Sequence, residues 1–320
     1  MKSSKLNGTG RVALLAGVLA SALLASCGGG ERVQAFTATR VFAFGDETSV
    51  INANGSKYTV NGLATGSTAT LDCNVNPIWI QSVASAYGLV FPQCNPAGLS
   101  DPSSRIYATN GAQVADLSGQ IDLQIAEGGF TNADLVTVLV GPNDVIAQFA
   151  QYPAVGEDQL LVNVDAAGAA LAAQVNRLAD LGAKVIVSTI PDMGLTPFAG
   201  DRSVGSTNGN PGVLSRLSTR FNDSLLSHLT NDGHKIGLVQ LDEYLTLVDR
   251  ATQASTGATF ANTTLASCLT TAPLPLCTTN TLVSDAVGVT WLWADDRHLS
   301  SSGQASLASL AVTRAQNNPF

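Results

Sequence analysis

The 320-residue sequence contains little charge. Lysine, arginine, aspartate and glutamate together make up 12% of it, and the mean hydropathy is positive, at +0.20. A chain of this composition can bury a large apolar core, which excludes an intrinsically disordered protein. Its length suits one sizeable α/β domain or two small ones.

Basic residues are scarcer than acidic ones. The formal charge of −8 comes from 16 basic and 24 acidic residues, and Lys2, Lys5 and Arg11 supply three of the bases. Without residues 1–26, 24 acids face 13 bases, and the charge is −11. Such a chain has no basic surface that could follow a phosphate backbone, so we expect no nucleic-acid partner.

The apolar run over residues 12–24 is shorter than the ~20 residues that a membrane-spanning helix needs. With its basic start and the following Leu24-Ala25-Ser26-Cys27, it resembles a bacterial lipoprotein signal, in which the cysteine is lipidated. The resemblance implies a signal peptide over residues 1–26, a tether over residues 27–38 and a lipid anchor on Cys27. No aspartate follows Cys27, which in the lipoprotein pattern favours the outer membrane. The anchored protein can face either the periplasm or the cell surface. A plain secretory signal is the alternative.

The sequence also lacks the cysteine and histidine spacings of a zinc site. Four cysteines remain besides Cys27, and an even number in an exported chain indicates disulfides. We expect Cys73–Cys94 and Cys268–Cys277, since each pair closes one local loop. We expect no cofactor and no metal; the remaining alternative is a calcium ion held by the acidic residues at positions 46, 47, 144, 295 and 296.

From residue 40 onward, β-branched or apolar runs alternate with amphipathic stretches. The predicted strands cover residues 41–45, 105–112, 134–140, 184–190 and 235–241, and the predicted helices cover 77–87, 116–127, 157–181, 211–231, a short stretch from 244, and 300–316. Residues 47–72 and 251–285 are rich in small polar residues and predict long surface excursions. Strands separated by helices predict a parallel sheet covered on both faces, within one domain over residues 39–320.

Three separated stretches place polar residues after apolar runs: residues 41–49 (Val-Phe-Ala-Phe-Gly-Asp-Glu-Thr-Ser), 140–144 (Val-Gly-Pro-Asn-Asp) and 295–298 (Asp-Asp-Arg-His). Loops at the carboxyl ends of parallel strands form the sites of open α/β sheets, so we expect these stretches to converge. They resemble the SGNH (GDSL) hydrolase family, as do residues 182–197 and 220–225. The resemblance spans about residues 40–315 in the correct order.

The resemblance implies a flavodoxin-like, three-layer α/β/α fold with a parallel sheet of about five strands. It implies that His298 is a general base, that Asp295 orients it, and that Asn143 and Gly111 donate to the oxyanion. The implied substrates are carboxylic esters of the cell envelope, such as acyl lipids or acetylated glycans.

Glu47 stands at the position of the family's nucleophilic serine. A carboxylate has no proton for His298 to remove, and its charge opposes a developing oxyanion. Three interpretations follow. Ser49, or Thr48, attacks instead; Glu47 is itself a nucleophile or base; or the domain has lost turnover and binds an acylated or glycan ligand. The retained Asp-His pair and asparagine favour a hydrolase.

Overall fold

A parallel sheet of five strands forms the centre of the fold. The structure is a computed structural model that describes residues 35–200, 211–255, 257–286 and 290–320. The strands are β1 (Arg40–Gly45), β2 (Arg105–Ile106), β3 (Asp134–Leu139), β4 (Lys184–Ser188) and β5 (Ile236–Val239). Their order is β2-β1-β3-β4-β5, and every neighbouring pair is parallel. The order reverses between β1 and β3, which is the switch point where such sheets bind ligands.

Helices cover both faces of this sheet. They are α1 (Trp79–Ser85), α2 (Leu117–Ala126), α3 (Pro142–Phe149), α4 (Glu157–Asp180), α5 (Pro211–His228), α6 (Leu241–Gln253) and α7 (Ser301–Asn317). Helices α2 to α5 pack on one face, and α1, α6 and α7 pack on the other. The expected three-layer α/β/α fold with five parallel strands is therefore confirmed. Within the described ranges, no helix is both long enough and apolar enough to cross a membrane.

Strands β1 and β3 are mostly apolar because both of their faces are buried. In β1, Phe42 and Phe44 enter the core beneath α2 to α5, whereas Val41 and Ala43 enter the opposite core. Every residue of β3 is buried, including Asp134, whose carboxylate binds Arg40 at the start of β1. A strand buried on both faces has no solvent-exposed positions to fill with polar residues.

Several element boundaries differ from the prediction. The strand expected over residues 105–112 is only two residues long, because the backbone N–H groups of Tyr107 and Ala108 both bond to the carbonyl of Ala43 and the ladder ends there. Helix α3 was not predicted; Pro142 at its first turn is a common helix start. Helix α6 begins at Leu241 rather than near residue 244. The 251–285 excursion contributes strand β6 (Asn262–Ala266), which pairs in parallel with β7 (Trp291–Trp293).

Hydrogen bonds join the two long excursions, residues 47–72 and 251–285. Both expected disulfides, Cys73–Cys94 and Cys268–Cys277, are present. Fully buried Lys57 donates to three carbonyl groups at residues 73, 75 and 76. Asn61 Nδ2 donates to the carbonyls of Pro275 and Cys277, so the first excursion is joined to the second.

The expectations for residues 1–34, including the signal peptide and lipidated Cys27, lie outside the described residues.

Candidate active site

The turn after β1 directs Glu47 into the molecule. Gly45 has a φ of +122°, and a Cβ at this position would lie 1.8 Å from the carbonyl oxygen of Leu139, so only glycine fits. Asp46 then caps a short 3₁₀ turn, Glu47–Ser49, by accepting from the Thr48 N–H at 2.9 Å. Glu47 is 4% exposed. Its side chain therefore has a fixed direction at the carboxyl end of β1.

A buried glutamine on α2 holds this turn, and sequence reasoning missed it. Gln120 Oε1 accepts from the Gly45 N–H at 2.7 Å, and its Nε2 donates to the Gly45 carbonyl at 2.9 Å. The same amide lies 3.4 Å from Thr109 Oγ1, in the segment that leads to Gly111. Seventy-five positions separate Gln120 from Gly45, and no local pattern marks this glutamine among the others in the helix.

Gly111 and Asn143 converge on a single oxygen atom. The backbone N–H of Gly111 donates to Glu47 Oε2 at 2.8 Å, and Asn143 Nδ2 donates to the same oxygen at 3.0 Å. Asn143 lies in the first turn of α3, and the next residue, Asp144, accepts from the Val114 N–H at 3.0 Å. Asp144 thereby holds the Gly111 segment against α3. The two residues expected to be oxyanion donors are thus brought together.

His298 lies on the loop after β7, between two carboxylates. Its Nδ1 is 2.7 Å from Asp295 Oδ2, and its backbone N–H donates to Asp295 Oδ1 at 2.7 Å. Its Nε2 is 3.0 Å from Glu47 Oε1. Thr59 Oγ1 in the first excursion donates to the carbonyl of Leu299 and secures this loop. The structure thus brings Glu47, Gly111, Asn143, Asp295 and His298 to one point above the β1–β3 switch.

The charges of these groups are strongly coupled. Burial alone lowers the pKa of His298, but the hydrogen bonds and negative charges of Asp295 and Glu47 outweigh burial and raise this pKa to about 9. Burial alone raises the pKa of Glu47, but the hydrogen bond and charge of His298 outweigh it and lower this pKa to about 2. At neutral pH the centre therefore consists of an imidazolium between two carboxylates.

Asp46 is the second acid of the turn. Burial and the neighbouring charge of Glu47 raise its pKa to about 8, so it carries a proton at neutral pH. Its Oδ2 is buried and has no hydrogen-bond partner within the described ranges. The other carboxyl oxygen, Oδ1, accepts from the Thr48 N–H.

Ser49 points into the core instead of toward His298. It is fully buried, and its Oγ accepts from Trp79 Nε1 at 3.1 Å. Successive residues of a 3₁₀ turn point about 120° apart, so residues two apart in this turn cannot face the same way. Glu47 points toward the imidazole, and Ser49 points away from it. The structure therefore gives no support to Ser49 as an alternative nucleophile.

One candidate metal-binding group occurs among the described residues. Ligand atoms of Asp295, Asp296 and His298 lie within 4.8 Å of one another. Asp295 and His298 are already hydrogen-bonded through the atoms that would ligate an ion, so a cation there would break the pair. The alternative of a calcium site is also weakened at Asp144, whose carboxylate accepts from the Val114 amide.

The Glu47 carboxylate binds the imidazole and the two converging donors at once. Its Oε1 contacts the imidazole nitrogen that would activate a nucleophile, and its Oε2 lies between the two oxyanion donors. An imidazole held by a carboxylate, beside two converging hydrogen-bond donors, is an arrangement that can serve acyl transfer. In this structure these groups bind a carboxylate of the chain itself.

Several solved structures are similar to this chain at low sequence identity. An extracellular lipase from Streptomyces rimosus is 17% identical, with a TM-score of 0.43 over 88% of this chain and 100% of that chain. A catalytic mutant of the acetylxylan esterase Axe2 from Geobacillus stearothermophilus is 17% identical, with a TM-score of 0.45 over 88% and 95%. A lipolytic G-D-S-L family member from Veillonella parvula is 12% identical, with a TM-score of 0.43 over 85% and 96%.

No curated protein sequence matches this chain. A family model described as GDSL-like lipase/acylhydrolase matches residues 41–311, which is most of the sequence and includes all three converging loops. The chain therefore belongs to the GDSL-like lipase/acylhydrolase family of ester hydrolases.

Proposed function

We propose that this protein is a member of its hydrolase family, located in the cell envelope, that is catalytically impaired toward carboxylic esters. One observation carries the proposal: the Glu47 carboxylate binds His298 through one oxygen and both oxyanion donors through the other. A substrate carbonyl and an attacking oxygen would need these same positions. Glu47 therefore acts as an internal ligand of a centre arranged for esters.

The charge of the centre argues in the same direction. General base catalysis requires a neutral imidazole, but Asp295 and Glu47 keep the pKa of His298 near 9. A carboxylate beside the oxyanion donors also repels the negative charge that develops on a substrate carbonyl. In this form the site binds an acylated molecule or a glycan more readily than it hydrolyses one.

A second candidate is an active ester hydrolase in which Glu47 takes part as a nucleophile or base. The convergence of Asp295, His298, Asn143 and Gly111 favours this candidate, because a purely structural role requires no such arrangement. Acyl lipids and acetylated glycans are the substrate classes to test. Two of the similar solved structures are named as a lipase and an acetylxylan esterase.

The location in the envelope rests on the amino-terminal sequence and on the disulfides. Leu24-Ala25-Ser26-Cys27 matches the pattern of a lipidated cysteine, and we propose an outer-membrane anchor there. Two disulfides support an oxidising compartment, since such bonds are rare in the cytosol.

A chromogenic short-chain ester tests the proposal with the native protein, Glu47→Ser, Glu47→Ala and Glu47→Ser/His298→Ala. We expect the native protein and Glu47→Ala to stay near background, and Glu47→Ser to gain on the order of 10²-fold or more. Loss of that gain in the double variant would show that it depends on the imidazole. Circular dichroism spectra serve as a control for folding.

Other outcomes separate the candidates. Native activity that disappears in Glu47→Gln would replace impairment with the second candidate. Equal activity of Glu47→Ala and Glu47→Ser would mean that release of the internal ligand, rather than a new hydroxyl, creates turnover. A folded Glu47→Ser variant without activity would contradict the claim that an ester-hydrolysing centre is preserved.

A further inference from the structure

The two oxygens of Glu47 are bound unequally. Oε2 accepts from two donors, the Gly111 N–H and Asn143 Nδ2. Within the described part of the chain, Oε1 contacts His298 Nε2 alone, at 3.0 Å. A carboxylate oxygen with one hydrogen bond retains a lone pair that can form a further bond. Oε1 is therefore the oxygen that can form a further bond, and Oε2 lies where a carbonyl oxygen would be stabilised.

The same contacts surround the carboxyl carbon of Glu47 with the groups that would hydrolyse an ester. The oxyanion donors bind an oxygen of Glu47 itself, and the imidazole lies beside the other oxygen. If Oε1 carried an alkyl group, Glu47 would be an ester whose carbonyl oxygen is already held by Gly111 and Asn143. The ester that these groups are arranged to hydrolyse is thus an ester of Glu47.

A small cavity adjoins this carboxylate. Its volume is about 20 Å³, room for one or two water-sized groups. Arg297 forms part of its wall, and Arg297 Nε is buried without a hydrogen-bond partner in the described ranges. The aliphatic part of the wall comprises Leu139, Pro142, Pro191, Leu241 and Leu299. A cavity of this volume suits a methyl or ethyl group beside the carboxylate.

We propose that Glu47 is the nucleophile in the hydrolysis of small alkyl halides, in which a saturated carbon carries a halide as the leaving group. Oε1 bonds to that carbon while the bond to the leaving group breaks, and the leaving group departs with the electron pair. The products are a glutamyl alkyl ester and an anion that accepts from Arg297 Nε. An ionised carboxylate needs no base for this step, whereas a serine hydroxyl does.

Water completes the reaction. His298 removes a proton from water while the water oxygen attacks the carboxyl carbon of Glu47, and negative charge develops on Oε2 between Gly111 and Asn143. The tetrahedral intermediate expels Oε1 with the alkyl group, which takes the proton from His298 and leaves as an alcohol. The restored carboxylate contains one oxygen from water. Overall, one electrophile and one water give an alcohol, an anion and a proton.

Alkylation also changes the state of the base. The charge of Glu47 is one of the interactions that keep the imidazole protonated. Esterification removes this charge, while Asp295 continues to orient the ring through Nδ1. The imidazole can therefore lose its proton once the ester has formed, which is when the second step requires a base.

The full chain can be tested with bromoethane as the probe, followed by intact-mass and peptide-mass analysis. We expect His298→Gln to accumulate one ethyl group on Glu47, because its second step is blocked. Asn143→Ala, which keeps the base, provides a second trapping variant. Glu47→Gln should remain unlabelled, whereas Glu243→Gln, which alters an exposed acid on α6, should react like the native protein.

The native protein should release bromide and ethanol catalytically. In a single turnover in water enriched in heavy oxygen, the label should enter the Glu47 carboxylate and be absent from the ethanol. No ethyl group on Glu47 in either folded trapping variant, or labelled ethanol in the first turnover, would overturn the proposal.

This inference goes beyond the proposed impairment toward carboxylic esters. Different experimental results would contradict the inference and the proposed function. Glu47→Ser esterase activity without alkylation of Glu47 leaves the proposed function intact and removes the alkyl-transfer reaction. Alkylation of Glu47 in a protein whose Glu47→Ser variant has no esterase activity would support the alkyl-transfer reaction and contradict the proposed function.

Discussion

Glu47 Oε1 lies 3.0 Å from Nε2 of His298, although 251 positions separate the two residues in the sequence. The contact joins the loop after β1 to the loop after β7, and it occupies the imidazole nitrogen that would otherwise activate a nucleophile. The Glu47 carboxylate thus helps to keep the imidazole beside it protonated, because its hydrogen bond and charge raise the pKa of His298.

The oxyanion donors should matter once a hydroxyl replaces the carboxylate. We expect Glu47→Ser/Asn143→Ala to have a kcat about 10²–10³-fold below that of Glu47→Ser, because one donor to the oxyanion is lost. Steady-state kinetics on a chromogenic ester measures this ratio. Adding Asn317→Ala, on the exposed end of α7, should leave kcat unchanged. Equal losses from both asparagines would contradict the assignment of Asn143.

The imidazolium should make the stability of the fold depend on pH. The pKa of His298 is about 9 in the folded chain against 6.5 ordinarily, so its contribution is complete below pH 6.5 and is lost as pH rises through 9. Between about pH 6 and pH 8 the loss should be roughly 2 kcal/mol, at 1.36 kcal/mol per pKa unit. Urea unfolding at a series of pH values measures it.

Asp46 acts in the same direction, because its raised pKa means that folding also becomes less favourable as pH rises toward 8. The experiment therefore belongs in an Asp46→Asn background. There, His298→Gln should remove most of the remaining slope. An unchanged slope would show that His298 does not carry the charge proposed for it.

Ser49 should contribute to packing and not to chemistry. Ser49→Ala leaves the buried Trp79 N–H without its acceptor and should cost about 1–3 kcal/mol of unfolding free energy. Trp79→Phe removes the donor as well, so the double variant should show a favourable coupling energy in a thermodynamic cycle. In the Glu47→Ser background, Ser49→Ala should leave kcat unchanged. A large fall in kcat with intact folding would restore Ser49 as a candidate nucleophile.

The turn before Glu47 should tolerate no side chain at residue 45. Gly45→Ala places a Cβ 1.8 Å from the Leu139 carbonyl oxygen at a φ of +122°, and we expect a loss of about 4 kcal/mol or failure to fold. Gly88→Ala is the matched control, since its φ is +71° and no atom lies within 4 Å of the added Cβ. That change should cost only about 1–2 kcal/mol. Thermal unfolding compares the two, and similar losses would contradict the steric argument.

The amino-terminal prediction can be tested independently of the site. Expression in a bacterium with a labelled fatty acid should label the native protein, and Cys27→Ser should abolish both the label and recovery in the membrane fraction. Cys268→Ser, which alters a disulfide cysteine, should retain the label. Soluble, unlabelled native protein would instead favour a plain secretory signal.

The sequence by itself determined the alternation of strands and helices, both disulfide pairs and the three loops that form the site. These features are local: the buried strands are continuous apolar runs, the turns are marked by glycine, and each disulfide closes a short loop. The same reasoning placed Gly111, Asn143, Asp295 and His298, because loops at the carboxyl ends of parallel strands share one edge.

Only the tertiary structure decided what each side chain does there. Whether Glu47 or Ser49 faces the imidazole depends on a rotation within one 3₁₀ turn, which is fixed by Trp79 in another helix and by Gln120, 75 positions from Gly45. The binding of both Glu47 oxygens depends on three loops approaching within hydrogen-bonding distance. Such contacts arise from the packing of distant segments, and no local pattern of residues encodes them.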